Sequence, residues 1–84
     1  MKKDLLNKDY FGRSCPRMEI DNKIFEVHEC PFGKGFEIMH IDTWTYSQAL
    51  IYDEDMTLLF EKTPYFESKV HAIKFMLENA ALLH

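Results

Sequence analysis

The middle of the chain alternates apolar and polar residues with the period of a β-strand. In residues 24–29, Phe25 and Val27 fall on one face, and Ile24, Glu26 and His28 fall on the other. Residues 36–41 repeat the alternation after a short segment, 31–35, with the sequence Pro-Phe-Gly-Lys-Gly. Two alternating runs joined by such a segment predict a β-hairpin. We expect its glycines to supply the positive φ angles of the bend.

Two more hairpins are indicated, one on each side of the first. The turn residues Asp21-Asn22-Lys23 separate a short run at 18–20 from the first alternating run, which predicts a tight turn between two strands. Further along, the acidic turn Asp53-Glu54-Asp55 separates residues 49–53 from residues 56–62. Turn-forming residues between two apolar runs again predict a hairpin.

The end of the chain changes to the period of an α-helix. One stripe of apolar residues has helical spacing, and Ser68 is a candidate N-cap. The stripe contains Phe66, Val70, Ile73, Leu77 and Ala80/Ala81. Strands followed by one helix predict a single α+β domain over residues 1–84, an antiparallel meander of about four to five strands packed against a C-terminal helix. Residues 1–12 are expected to add a short N-terminal helix.

Residues 49–82 resemble the small bacterial YegP-like domains. In that family a hairpin with an acidic turn leads to an aromatic residue and then to Ser-Lys-x-x-Ala, which opens a helix. The matching residues here are Phe66, Ser68, Lys69 and Ala72. This chain departs from the family because Asp55-Met56 stands where Asn-Gly is preferred, and because the Trp/Arg-rich strand before the turn is missing. The resemblance implies the strands-then-helix fold and no particular activity.

Composition and charge make several classes of protein less favoured. A chain of 84 residues buries only about 60% of its unfolded surface, but a hydrophobic fraction of 46% supports a packed core. The net charge of −4 and the scattered lysines and arginines argue against nucleic-acid binding.

The sequence contains no apolar stretch of roughly 18 residues and no secretory signal pattern, so we expect a cytoplasmic protein without a membrane span. Cys15 and Cys30 are expected to be reduced thiols.

Candidate chemistry is sparse. His28 and Cys30 share a strand face, but the other two potential zinc ligands, Cys15 and His40, come from unrelated positions, so we expect no metal. The segment Gly33-Lys34-Gly35 precedes a strand instead of a helix, which argues against a phosphate loop. No cofactor is expected. Cys30 has histidines elsewhere in the chain for nucleophilic catalysis, but a domain of this size leaves little room for a pocket of several hundred Å³. We therefore predict that the protein is not an enzyme.

The helix suggests a binding surface. Counting from Phe66 in steps of about 100°, Phe75 falls near 180° and Leu82 near 160°, on the side away from the predicted core stripe. Three covers for this second apolar face remain open: the N-terminal segment, a second copy of the chain, or another protein. Trp44 and Tyr46 share a strand face and belong either to the core or to an interface. The predicted partner-binding residues are Trp44, Tyr46, His71, Phe75, Glu78 and Leu82.

These patterns favour a small non-enzymatic protein that binds another macromolecule through apolar and aromatic surface. Inhibitors, antitoxins and accessory factors of phages or mobile elements are of this kind. We expect a protein partner, with self-association into a homo-oligomer as a second option. The alternative function is a nucleic-acid-binding module, because a sheet backed by a helix is a recurring scaffold for it.

Overall fold

The structure is a computed structural model and describes residues 11–41, 46–53 and 55–84, with Tyr46 described by its backbone alone. The predicted helix at residues 1–12 therefore lies almost wholly outside the described residues. The fold is α+β, as predicted. The described elements are β1 (Arg17–Ile20), β2 (Lys23–Glu29), β3 (Phe36–Ile41), β4 (Tyr46–Gln48), β5 (Ile51–Tyr52), β6 (Leu58–Phe60), α1 (Lys69–Glu78) and a 3₁₀ turn (Ala80–Leu82).

Strands β1 to β4 form one antiparallel meander in chain order, and β5 and β6 form a second, two-stranded sheet. The hairpin between β1 and β2 turns through Asp21 and Asn22, whose φ angles are 49° and 67°. Two central residues with positive φ make the type I′ turn that suits the twist of a hairpin. Between β2 and β3, Gly33 and Gly35 have φ angles of 75° and 114°. Both bends follow the sequence-based prediction.

The core lies between the meander and the helix. Phe25, Val27 and Ile38 point from β2 and β3 toward α1, and they meet Ala72 and Met76. Ile51 and Leu83 join the same cluster from the second sheet and from the end of the chain. All of these side chains are buried. The helix begins at Ser68, whose hydroxyl accepts a hydrogen bond from the backbone N–H of His71 at 3.3 Å, as expected for an N-cap.

The predicted core stripe of the helix is wrong in part. Phe66 and Ile73 are half-buried and pack against the core, as predicted. Val70 and Leu77 belong to that stripe, but their exposed fractions are 70% and 65%. The buried helical residues are Ala72 and Met76, so the core-facing side is rotated by about 100°, which is one residue step. The physical reason is that Phe66, from which the positions were counted, precedes the helix and forms a β-bridge with Phe36. Its direction therefore does not follow the helical rotation.

Candidate functional site

Strand β6 exposes apolar side chains on both of its faces. Leu58, Leu59 and Phe60 are 44%, 48% and 59% exposed. Successive side chains of a strand point to opposite faces, so a strand in a packed sheet normally buries every second one. Within residues 11–41, 46–53 and 55–84, only β5 pairs with β6. Together with Met56, which is 60% exposed, these three residues define what we call the hairpin surface.

The turn at the tip of this hairpin holds Met56 in an unusual backbone conformation. The Asp53 carboxylate accepts hydrogen bonds from the backbone N–H groups of Asp55 and Thr57, at 2.9 and 2.8 Å. The Asp53 N–H in turn donates to the Thr57 carbonyl at 3.0 Å. Met56 has a φ angle of 63°, a region that disfavours residues with a Cβ. The strained position displays a flexible apolar side chain, a type that is common on adaptable binding surfaces.

An apolar cavity opens beside the hairpin surface. Its volume is about 360 Å³, and Phe60 forms part of its wall together with Ile51, Pro64 and Phe75. The Phe75 ring is held in place by the Phe66 ring, at a centroid distance of 5.1 Å. Pockets that bury small ligands or side chains start at about 300 Å³, so this cavity has room for one large apolar group. The cavity contradicts the expectation that so short a chain would lack a pocket of this size.

Lys62 and Tyr65 line one side of the cavity, mainly through their apolar atoms. The Nζ atoms of Lys34 and Lys62 lie 5.8 and 5.9 Å from the centroid of the Tyr65 ring, within range of a cation–π interaction. Two ammonium groups therefore lie near the Tyr65 ring, while the cavity itself is apolar.

The phenol of Tyr65 belongs to a small polar group at the end of the meander. Partial loss of solvent raises the pKa of Tyr65, and the neighbouring Glu37 carboxylate and Cys30 thiol raise the pKa further. The Gln48 amide donates to Glu37 at 2.7 Å and also contacts Tyr65, where it lowers the pKa. These contacts stabilise the protonated phenol. Tyr65 is thus a neutral hydrogen-bonding group beside the cavity at physiological pH.

A second polar cluster lies on the side of the meander away from the helix. Glu26 is fully buried; the Arg17 guanidinium donates to one of its carboxylate oxygens, and His28 Nε2 lies 2.8 Å from the other. Arg17 and Glu26 are also direct neighbours in the pairing of β1 with β2. A buried carboxylate needs such partners to offset its lost hydration. Arg17 supplies such a partner from β1, so loss of Arg17 would leave the buried Glu26 carboxylate without its guanidinium contact.

The described residues hold no metal-binding group. No cluster of three histidine, cysteine, aspartate or glutamate residues with suitable geometry occurs in the described ranges. Cys15 and Cys30 are both buried and are not joined to each other. No helix of the described part of the chain is long and apolar enough to cross a membrane.

The predicted partner-binding residues are only partly brought together. Phe75 and Leu82 are half-buried and pack against the core, so they do not lie on the side of the helix away from the core, where they were predicted. Phe75 nevertheless lines the cavity, whereas His71 and Glu78 are exposed on the helix and do not line it. Trp44 and the side chain of Tyr46 lie outside the described residues. A role of these six residues in binding stays a prediction.

The hairpin surface was not predicted from the sequence. A signal was present, because Met56 to Phe60 contains four apolar residues without strict alternation. Short continuous apolar runs usually indicate a strand buried on both faces, so this pattern does not predict an exposed strand. The place of the run at the edge of a two-stranded sheet, which exposes it, follows only from the tertiary structure.

Comparison with known proteins gives no match: no protein-family model, curated protein or solved structure corresponds to this chain. The similarity of residues 49–82 to the YegP-like domains therefore stays a prediction.

Proposed function

We propose that this protein is a non-enzymatic binding domain that docks on another protein chain through the hairpin surface. The observation that carries the proposal is the exposure of three consecutive apolar side chains, Leu58, Leu59 and Phe60. Large exposed apolar patches on small domains usually mark interaction sites. An edge strand with apolar side chains is also a template for further pairing unless something covers it.

The adjoining cavity supports a protein partner. A partner strand or loop that covers the hairpin surface can insert one leucine-sized or aromatic side chain between Phe60 and Phe75. Anchors of this kind, buried in a pocket and surrounded by apolar contacts, supply most of the affinity of many interfaces. Inhibitor, antitoxin and accessory-factor roles in the cytoplasm are all consistent with such a domain.

Site-specific photo-crosslinking tests the proposal. A benzoylphenylalanine introduced at Leu59 should give discrete crosslinked products in a lysate of the source cells, because the reactive group would lie in the interface. The same group at Leu77, an equally exposed apolar position on the helix, is the matched control and should give few products. Adding the Phe60→Lys substitution should reduce the crosslinks at position 59. Equal products from both positions would contradict the assignment of the surface.

A further inference from the structure

Aromatic rings and hydrocarbon groups form nearly all of the wall of the cavity beside strand β6. Phe60, Tyr65 and Phe75 contribute rings, and Ile51 and Pro64 contribute aliphatic groups. A charged or strongly polar group of a ligand would lose its hydration against these walls without gaining a hydrogen-bond partner. The cavity therefore favours uncharged, apolar ligands.

The volume of the cavity sets the size of such a ligand. Apolar cavities of about 150 Å³ stay free of water and take up benzene. The cavity in this protein has a volume of about 360 Å³, which is more than twice as large. A molecule with two fused rings therefore fits, whereas a single ring would leave much of the volume empty.

Much of the wall is fixed before any ligand binds. Thr63, which also lines the cavity, is buried, and its backbone N–H donates to the Ala49 carbonyl at 2.8 Å. Phe75 packs against the Phe66 ring, and two backbone hydrogen bonds, both 2.8 Å long, join Phe66 to Phe36. A preformed site loses little conformational freedom on binding, so little of the binding energy is spent on ordering the protein.

Phe60 is the part of the wall that gains most from a ligand. This residue is 59% exposed, although it borders the cavity. An aromatic molecule in the cavity covers part of the Phe60 ring and also contacts Phe75. Aromatic pairs in offset-stacked or edge-to-face arrangements gain energy beyond the burial of their area, whereas an aliphatic molecule of the same size gains only from burial. The walls therefore favour an aromatic ligand.

The charges around the mouth of the cavity do not select an ionic ligand. Lys34 and Lys62 lie on the Tyr65 ring. However, Glu61 is the neighbour of Lys62 in the chain, and the Glu37 carboxylate lies near Tyr65. Positive and negative groups thus occur together here, so the apolar walls decide which ligand binds.

We propose that this cavity is a binding site for a small, uncharged molecule with two fused aromatic rings, in contact with Phe60 and Phe75. The inference goes beyond the proposed function, because one copy of the chain forms the site and no partner protein is needed. A bound ligand would occupy the volume that a partner's side chain would fill, so the purified chain is the appropriate sample. About ten non-hydrogen atoms in a preformed apolar site give an expected dissociation constant on the order of 10 to 100 μM.

NMR titration of the purified chain with β-naphthol, which is uncharged at neutral pH, tests the site. Ligand concentrations from about 5 μM to 1 mM cover the expected affinity. The signals of Ile51 and Phe75 should shift, because both residues line the cavity and the rings of a bound ligand would lie against them. The signals of Val70 and Leu77, which are exposed apolar residues on the helix and do not line the cavity, should stay unchanged. Equal shifts at both pairs of residues would show non-specific contact and would overturn the site.

Two analogues test the chemical class of the ligand. Decahydro-β-naphthol keeps the carbon skeleton and the hydroxyl group but has no aromatic ring, so it should bind about fivefold more weakly than β-naphthol. The β-naphthoate anion should also bind about fivefold more weakly, because its charge must be desolvated or held outside the apolar walls. Equal or tighter binding of either analogue would overturn the proposed class.

Neighbouring residues of β6 provide the matched variants. Phe60→Ala removes part of the wall and should weaken the binding of β-naphthol about tenfold. Leu59→Ala removes a similarly exposed apolar side chain that does not line the cavity, and it should leave the affinity unchanged. Both residues are exposed, so both variants should keep the NMR spectrum of a folded chain. Equal affinities of the two variants would overturn the site, and if Phe60→Ala does not fold, the titration and the analogues on the original chain decide.

The outcomes separate this inference from the proposed function. A purified chain that shows no shifts up to about 1 mM β-naphthol, while position 59 still gives specific crosslinks to another protein, overturns the ligand site and leaves the proposed function standing. Specific binding of β-naphthol together with equal crosslinks at positions 59 and 77 supports the ligand site and contradicts the proposed function.

Discussion

At the residue scale, Gly35 is constrained by its bend and also by a contact with a distant segment of the chain. Its φ angle is 114°, and a Cβ atom at this position would lie 2.4 Å from the carbonyl oxygen of Phe66. That carbonyl accepts the Phe36 N–H at 2.8 Å, so it cannot move away without breaking the bridge. We predict that Gly35→Ala lowers the free energy of unfolding by about 2 to 3 kcal/mol, measured by urea denaturation.

Gly33→Ala is the matched control for Gly35→Ala. Gly33 also has a positive φ angle, 75°, but no atom lies within 4 Å of the position that a Cβ would occupy there. The substitution should therefore cost only the backbone term, about 1 kcal/mol. Equal losses for the two variants would show that the Phe66 carbonyl does not restrict position 35.

Met56 offers a substitution that separates stability from binding. Its positive φ angle is easily adopted by glycine, so Met56→Gly should raise the free energy of unfolding by up to about 1 kcal/mol. The same change removes an exposed apolar side chain from the hairpin surface and should reduce the crosslinks formed at position 59. A loss of stability in Met56→Gly would contradict the strained backbone at this turn.

His84 makes stability depend on pH. Burial lowers the pKa of His84 from its ordinary value of 6.5, and Lys23 and then His40 lower it further. Its Nδ1 lies 2.8 Å from the Lys23 ammonium, which can only donate, so the folded state favours neutral histidine. The stabilisation is complete above pH 6.5 and decreases as the pH falls from 6.5 through the lowered pKa, because the unfolded chain binds the proton more readily.

The measurement is urea denaturation of the original chain and of His84→Gln between about pH 7.5 and 5, a window that brackets the ordinary histidine pKa. The two proteins differ only at position 84, so the difference between their pH dependences reports on His84. We expect the original chain to lose more stability on acidification than the variant. Parallel curves for the two proteins would contradict the role of His84.

The residue scale also shows how far local chemistry predicts the fold. Asp21 and Asn22 were recognisable as turn residues because their own backbone preferences are sufficient for the bend. The requirement for glycine at position 35 could be predicted only in part. The positive φ angle follows from the local bend, but the Phe66 carbonyl comes from a segment far along the chain. The burial of Glu26 could not be predicted from the local sequence, because its partner Arg17 lies on a neighbouring strand.

At the element scale, the helix illustrates why periodicity did not identify the core face. Apolar residues occur all around α1, at Val70, Ile73, Phe75, Met76 and Leu77. With apolar groups in several directions, the sequence pattern alone does not choose among faces. Packing against the sheet determines which helix face is buried, because the small Ala72 and the flexible Met76 fit against Phe25 and Ile38.

Adjacent helical residues test this orientation. Met76→Ala removes a fully buried side chain and should lower the free energy of unfolding by about 2 to 4 kcal/mol. Leu77→Ala changes a side chain that is 65% exposed and should alter the free energy of unfolding by less than about 0.5 kcal/mol. Thermal or urea denaturation of both variants gives the comparison. The reverse order would restore the core stripe predicted from the sequence.

At the scale of the whole molecule, burial is distributed unevenly between the two sheets. Strand β2 has five consecutive buried residues, whereas every residue of β6 is exposed. The base of the second hairpin is fastened by hydrogen bonds in both directions between Leu50 and His84, at 2.7 and 2.9 Å. Its tip has no comparable anchor among the described residues. Two-stranded hairpins are marginally stable by themselves, and the tip of this one lies beyond its anchored base, so the tip is the part of the fold that gains most from a partner.

Hydrogen–deuterium exchange measures this difference directly. At about 5 μM, the backbone amides of residues 56–62 should exchange at least about tenfold faster than those of β2, because opening the tip exposes little buried apolar surface. Binding of a protein partner to the hairpin surface should slow exchange in residues 56–62 and leave β2 unchanged, since the partner covers the exposed strand. Strong protection of β6 at low concentration would mean that the single chain already holds the hairpin rigid. The exposed strand would then need no partner for its order, and only its apolar surface would remain as the reason to expect one.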